Sequence, residues 1–458
     1  MYFTFFSDLI LGLIIALVEL VPVEEIPDFD ALVEVWIALF GRSESLSVIG
    51  ICEQYWSQDW NQGIARRAIL DVARSRFPIQ VKPLLRLLRA MTGAGFLDTD
   101  PLYTSDSEGP PSEQRLLCAR FVYHYFLKLS SYSQVIPTSA CIGPHALYER
   151  QIERFSSGNA NLGFTYVNLK PIRLPGGSIL PAKSSGRLLS PDGGDHVVVC
   201  WQHEHSGWKF ILEILTDYAS RRRMDLGSGG DVSFARRGGV QQKTLRLQDI
   251  GMEIDPEGDE GVVTDALDLV RSLIQDNPTQ AIAFMQTLED GEPVVSHTML
   301  ETQPPDLVQL TTMILEEALS RSNGRPGGHS PVKLITSAMS VLSALLAIPS
   351  YSNRVWLYIR STISLFGSDK SPAFASVALA AERATGQYTM TLALLHLVEQ
   401  LFREAALSIL PENAKLQQLK EEVLLRASRF VHIEIWVEHL SWKYTQLGDR
   451  FEIGRRVV

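Results

Sequence analysis

No two cysteines in this sequence are spaced for a metal site or a dense disulfide framework. Cys52, Cys118, Cys141 and Cys200 stand far apart and no CxxC pair occurs. Scattered thiols of this kind point to a reducing compartment, cytosolic or nuclear. The GxxxxGK[ST] phosphate loop, the GxSxG nucleophile elbow and the HExxH zinc motif are also missing. That removes the usual sequence grounds for nucleotide hydrolysis, α/β-hydrolase chemistry and metalloprotease chemistry. Positive charge is the minority sign: 42 Lys and Arg stand against 52 Asp and Glu, a net charge of -10. General nucleic-acid binding is therefore not expected, although a local basic patch is compatible with that total.

Long apolar runs are scarce as well. The strongest, Ile10 to Val18, is bracketed by Asp8 and Glu19. It falls short of the roughly 18 uncharged residues of a membrane span and lacks the basic flank of a signal peptide. It reads as a buried core helix, and no transmembrane segment is expected.

What is present is a great deal of helix. At 458 residues the chain is too long for one ordinary domain unless it is a repeat array. Apolar content of 45% and charged content of 21% are ordinary for a globular protein. Asp28 or Asp30 can cap a helix carrying Leu32, Val35, Trp36 and Leu39. A helix around Ala65 to Arg74 follows, and Pro83 suits the first turn of the Leu84–Arg89 segment. Leu116, Val122, Tyr123, Phe126 and Leu129 recur at helical spacing. From Thr264 onward apolar stripes continue through Leu310–Leu315, Val341–Leu346, Trp356–Ile363, Leu392–Leu401 and Val423–Leu425. Short connections rich in Gly, Pro or Asn separate them. Such helices stack as antiparallel pairs, and the absence of a strict period predicts an irregular HEAT/ARM-like α-solenoid.

One stretch differs. Val197 to Trp201 is a short run of β-formers, preceded by Pro191-Asp192-Gly193-Gly194 and followed by the turn-like Glu204-His205-Ser206-Gly207. Trp208 to Leu215 reads as a second strand, with Trp208, Phe210, Leu212 and Ile214 on one buried face. Leu188-Leu189, Phe164–Leu169 and Ile179-Leu180 supply further strands around the Leu174-Pro175-Gly176-Gly177 turn. The expectation is a small barrel over 158–255, inserted between helical parts at 1–157 and 256–458, with strands confined between about 155 and 262. Arg221-Arg222-Arg223, Arg236-Arg237 and Lys243, interleaved with glycines, read as a mobile basic loop. The acidic run Asp249 to Glu260 reads as a solvated connector.

Candidate chemistry is thin. His203-Glu204-His205 offers two imidazoles and a carboxylate, but in a turn and with no third ligand apparent. His432 and His439, among Ile433, Ile435, Trp436, Val437 and Leu440, read as packed side chains on a helix. Trp201 and Trp208 read as core rather than as an aromatic ligand cage. No catalytic, cofactor-binding or metal-binding residue is assigned, no cofactor is expected, and the chain is read as a non-enzyme.

The run Leu188-Leu189-Ser190-Pro191-Asp192-Gly193-Gly194, then Val197 to Trp201, then His205-Ser206-Gly207-Trp208-Lys209 resembles the small SH3-like insertion of a large scaffold nucleoporin. The family is the inner-ring nucleoporin 188 group, with the nucleoporin 192 group as its relative. Leu447 to Gly454, Leu84 to Leu88 and Tyr123 to Ser130 are similar to stretches of the same fungal-type proteins. The resemblance implies an α-solenoid with an SH3-like insertion and no catalytic residues. It also implies a scaffold role in the nuclear pore complex that supports protein and mRNA transport. The implied partners are linker and adaptor nucleoporins and phenylalanine-glycine repeats. The chain would then be an internal piece of the N-terminal half of such a protein, or the product of a truncated gene model. Two other readings stay open: a transport-receptor-like or adaptor solenoid that binds peptide motifs, and an enzyme with an unfamiliar site.

Overall fold

The computed structural model describes residues 28–40, 64–93, 113–144, 146–153, 163–189, 195–227, 256–289, 306–322, 331–367, 373–407 and 414–457, with isolated positions before residue 57. The chain divides into two compact units.

The first unit takes most of residues 1–96 and 117–214 and the start of the helix after residue 255. Its helices are α1 (Phe29–Phe40), α2 (Ile64–Ser75), α3 (Val81–Ala90) and most of α4 (Glu113–Leu127). Asp28 caps α1 as expected: its Oδ1 accepts the Ala31 N–H at 2.9 Å. The apolar face of α1 runs through Leu32, Val33, Trp36 and Ile37, whereas Val35 is exposed. An Arg86–Glu34 ion pair ties α3 to α1. Of the apolar N-terminal run, Ile14 is buried but Leu13 is 63% exposed, so the described residues do not bear out a helix buried on all sides.

Five strands form one antiparallel sheet in the order β1-β7-β6-β3-β2: β1 (Leu129–Pro137), β2 (Tyr148–Glu153), β3 (Gly163–Asn168), β6 (Ser185–Leu188) and β7 (His196–His205). A separate two-residue ladder joins β4 (Ile172–Arg173) to β5 (Ile179–Leu180). Between them Gly176 and Gly177 turn the chain at φ 78° and 84°, which a side chain would resist. The strands expected at 164–169, 179–180, 188 and 197–201 are there.

Several expectations are corrected. Strands are not confined to residues after 155, because β1 and β2 precede that point. Leu129 therefore opens a strand instead of closing a helix. The Trp208–Leu215 segment is not a strand but the start of α5 (Gly207–Gly227). Trp208, Ile211, Ile214, Leu215 and Tyr218 are all at most 5% exposed, the i, i+3, i+7 stripe of a helix. Arg221 to Arg223 lie in that helix, not in a loop, while residues 228–255 fall outside the described residues. Finally, the sheet does not close by a strand ladder. Among the described residues its two edges approach through side chain and turn: Gln134 donates to the Tyr148 hydroxyl at 2.9 Å, and the Leu147 N–H donates to the Ala140 carbonyl at 2.8 Å.

The sheet is bound into its own unit. The Ser133 N–H donates to the Phe77 carbonyl at 2.9 Å and its hydroxyl to the Ser75 carbonyl, so α2 covers the free edge of β1. Gly186 is required by packing. A Cβ there would sit 2.4 Å from Val199 Cγ1 and 2.6 Å from Trp201 Cε3.

The second unit is helical. It holds the end of α5, most of α6 (Pro256–Ile274), α7 (Pro278–Glu289), α8 (Leu307–Ser322), α9 (Val332–Leu346), α10 (Pro349–Ser361), the short α11 (Ile363–Phe366), α12 (Phe374–Thr385), α13 (Thr389–Leu407), α14 (Ala414–Phe430) and α15 (Leu447–Val457). Leu392 to Leu401 lie in α13, as expected. Helix α9 is the centre: residues 334–343 are all buried, on every side of the helix. Three of its polar positions serve themselves, with Thr336, Ser340 and Ser343 each donating to the carbonyl four residues back at 2.8 Å, while Ser337 donates to the Asp268 carboxylate of α6 at 2.6 Å. Small, internally satisfied side chains let α8, α10 and α13 pack closely around it. Contact with α13 goes beyond the chain neighbours to which a strictly linear repeat array is limited.

Candidate interaction surfaces

The residues nominated from sequence are mostly core. Trp201 and Trp208 are fully buried. Trp201 stacks on Tyr148 at 5.9 Å, and Trp208 donates its indole N–H to the Tyr123 carbonyl at 3.0 Å. His203, Glu204 and His205 are not a turn but the end of β7. The alternation of the strand turns His203 and His205 to one face and Glu204 to the other. His205 is packed on Phe77 (6.2 Å, 13° between planes) and against Tyr132 (5.3 Å). Its pKa is lowered to about 4 by burial, against the opposing pull of the His203 carbonyl, which favours the protonated ring. His439 is buried and its Nδ1 meets the Ile435 carbonyl at 3.3 Å, while His432 is exposed beside Trp436.

The lowered His205 pKa has a consequence for acid stability. Between pH 6.5 and about 4 the unfolded chain takes up a proton that the folded imidazole refuses, so stability falls as pH drops through that window. A displacement of this size is worth on the order of 3 kcal/mol when complete. In thermal melts, His205→Phe should lose less stability than wild type between pH 6.5 and 4.

Cys52 and Cys118 are poor nucleophiles. Burial raises Cys52, and it pushes Cys118 up to about 12, so both are protonated at neutral pH. No disulfide occurs among the described residues.

One carboxylate escaped the sequence reading. Glu382, on α12, is 6% exposed and its carboxyl is raised to about 7 by burial. A carboxyl titrating near neutrality suits a general base, but its oxygens are taken. They accept the N–H of Met390 at 2.7 Å, the N–H of Thr391 at 2.9 Å and the Thr391 hydroxyl at 2.6 Å. Glu382 is thus the N-terminal cap of α13, supplied from the preceding helix. No local motif marks it, because donor and acceptor lie eight and nine residues apart. A second buried network, Arg456 with His396 at 2.9 Å, Glu399 at 2.7 Å and Glu452 at 2.8 Å, docks α15 on α13. The crevice lined by Leu319, Met339, Leu379, Leu394, Phe430 and Ile435 carries no titratable group.

What the second unit does present is apolar surface at its C-terminal end. Helix α15 buries Asp449 and Ile453 and leaves Leu447 (74% exposed) and Phe451 (78%) one turn apart on another face. In the helical turns after α14, Val437 (71%) and Leu440 (61%) are exposed too, with Trp436 at 46%. Among the described residues of this unit these are among the most exposed large apolar side chains.

Comparison with known proteins fits this picture. Residues 240–458 match the family model described as nucleoporin Nup188, N-terminal subdomain III. Nucleoporin nup184 of Schizosaccharomyces pombe is 31% identical over 103 residues, which make up 22% of this chain and 6% of that protein. A mainly helical chain with these matches is a nucleoporin, a component of the nuclear pore complex at the nuclear envelope. Within that class its residues 240–458, a little under half of the chain, are similar to the Nup188 family.

Proposed function

We propose that the chain is a stretch of a non-enzymatic scaffold in the inner ring of the pore, and that it supports nucleocytoplasmic transport by holding other nucleoporins in place. In this reading the helices form an irregular α-solenoid and the sheet is an SH3-like module set between two helical parts, beginning at Leu129. The observation that carries the reading is the apolar surface at Leu447, Phe451, Val437 and Leu440, 61–78% exposed. Linker and adaptor nucleoporins are the expected partners. Phenylalanine-glycine repeats are a further one, because an aliphatic and aromatic surface suits isolated phenylalanine side chains.

The test is binding of the purified chain to a panel of recombinant nucleoporins and phenylalanine-glycine segments, with and without Leu447→Asp and Phe451→Asp. Truncating well-placed interface anchors costs about 2 kcal/mol or more each, so the double variant, at about 4 kcal/mol, should bind roughly a thousandfold more weakly. Equal binding by wild type and variant would remove this surface from the account. Binding to none of the panel would remove the scaffold reading itself.

A further inference from the structure

The loops at one end of the sheet combine two features that nothing in the scaffold reading uses. The first is charge. Between Gly163 and Leu189 the sequence has Lys170, Arg173, Lys183 and Arg187 and no Asp or Glu, within a chain of net charge -10. Lys170, Arg173 and Lys183 make no ion pair among the described residues. The carboxylates of adjoining elements do not neutralise them. Glu149 on β2 stands opposite Val167, and Glu213 on α5 accepts the Gly176 N–H.

The second feature is aliphatic exposure at the same end. Leu169 (43% exposed) donates its N–H to the Leu147 carbonyl at 2.8 Å, and Leu147 is itself 40% exposed. Ile142, in the loop joined to Leu147 through the Ala140 carbonyl, is 76% exposed. On the short β4–β5 ladder Ile179 (49%) pairs with Arg173.

The arrangement is built, not incidental. Asn168 is fully buried and its side chain ties the two lysine loops together. It donates to the Lys170 carbonyl at 3.0 Å and to the Pro181 carbonyl at 2.7 Å, and it accepts the Ser184 N–H at 2.7 Å. The Asn168 carbonyl accepts the Lys183 N–H at 2.7 Å, which holds Lys183 at φ 65°, a conformation that a lysine adopts rarely. Two cations and Leu169 are thereby fixed at one tip.

We propose that this tip is a peripheral docking site for an anionic lipid surface. The composition favours lipid over protein. Lysine and aliphatic side chains without aromatics are unlike a protein–protein interface core, which is enriched in aromatics and arginine. The tip presents Lys170, Lys183 and Arg173 with Leu169, Leu147, Ile142 and Ile179 and no exposed aromatic among its described residues. Lysines near an anionic leaflet attract it through the headgroup charge, and shallow aliphatic side chains enter the headgroup boundary. The site shares no residue with the α15 surface, and the proposal does not depend on which partners that surface holds.

The experiment is flotation of the full chain with phosphatidylcholine vesicles, with and without phosphatidylserine. It is run for wild type, Lys170→Glu/Lys183→Glu and Leu169→Ser, with circular dichroism to confirm that each variant is folded. A soluble poly-glutamate peptide serves as competitor and as a binding partner in its own right. The expected result is binding to the phosphatidylserine vesicles alone, released by high salt. A cation near such a surface is worth about 1 kcal/mol, or roughly fivefold in partitioning, so the double charge reversal should lower binding at least about twentyfold. Leu169→Ser should lower it more modestly. Equal flotation with both vesicle types, or unchanged binding by the folded double variant, would overturn the proposal. Binding to poly-glutamate without binding to vesicles would also overturn it, because the tip would then recognise an acidic protein.

Discussion

Replacing Phe210 with alanine should destabilise the sheet-bearing unit by about 3–5 kcal/mol, the usual cost of truncating a buried aromatic. Phe210 is fully buried at the start of α5. Its ring meets Phe77 edge-on at 5.1 Å, Phe77 meets Phe126 at 5.7 Å, and Phe126 meets Trp208 at 4.7 Å. These rings come from α5, from the turn after α2 and from α4, so one cavity loosens three elements at once. Partial collapse is hindered on the α4 side, where Gly207 already lies so near the Phe126 ring that a Cβ would sit 2.5 Å from it. Urea denaturation followed by circular dichroism checks the value. Phe451→Ser, at a position 78% exposed, is the control and should shift stability by no more than about 0.5 kcal/mol. A cost for Phe210→Ala no larger than the control would mean that the aromatic cluster is not the core.

The second large effect belongs to Glu382. Glu382→Ala leaves the Met390 and Thr391 N–H groups and the Thr391 hydroxyl without their acceptor in a buried place. Each such orphan costs about 1–3 kcal/mol. Relief of the desolvated carboxyl offsets part of this, so a net loss of about 2–4 kcal/mol is expected. Glu382→Gln keeps an acceptor oxygen and should cost less than half as much. The pH dependence has a fixed sign. The folded carboxyl is raised from 4.5 to about 7, so in that window the folded state holds a proton that the unfolded chain has released. Its contribution to stability is therefore largest at low pH and falls as pH rises from 4.5 to 7. His396, lowered to about 4 in the same unit by burial and the adjacent Arg456, works in the opposite direction. The informative quantity is accordingly the difference between wild type and Glu382→Gln. It should grow in favour of wild type as pH falls from 7 to 5; a flat difference would show that Glu382 titrates normally.

Much of the helical framework could be read from the chain. The α1 cap at Asp28, the stripes of α9 and α13 and the dominance of helix follow from apolar spacing and turn residues. The misread segments share a physical cause. Trp208 to Leu215 fits a period of 2 as well as one of 3.6, and only the continuation through Tyr218 distinguishes them. Ser206 and Gly207, taken as a hairpin turn, end a strand and start a helix: Ser206 Oγ lies 3.4 Å from the Lys209 N–H. Strand β1 was hidden because its buried face includes Gln134, a polar residue tolerated there only through its bond to the Tyr148 hydroxyl. Glu382 carried no signal at all, since its partners are set by the way α12 and α13 pack. The apolar C-terminal surface was legible as hydrophobic sequence, but exposure is decided by which face each helix buries. The run His432 to Leu440 gave no means of telling the buried Ile435 from the exposed Val437.

The central claim is that this protein is a fixed part of the pore and not a carrier passing through it. Fluorescence recovery after photobleaching, on the protein tagged at its own locus, addresses that directly. A scaffold held by several neighbours dissociates slowly, so a bleached segment of the nuclear rim should stay dark for many minutes. Recovery within seconds would contradict the account and favour a transport-receptor-like array that binds peptide motifs in transit.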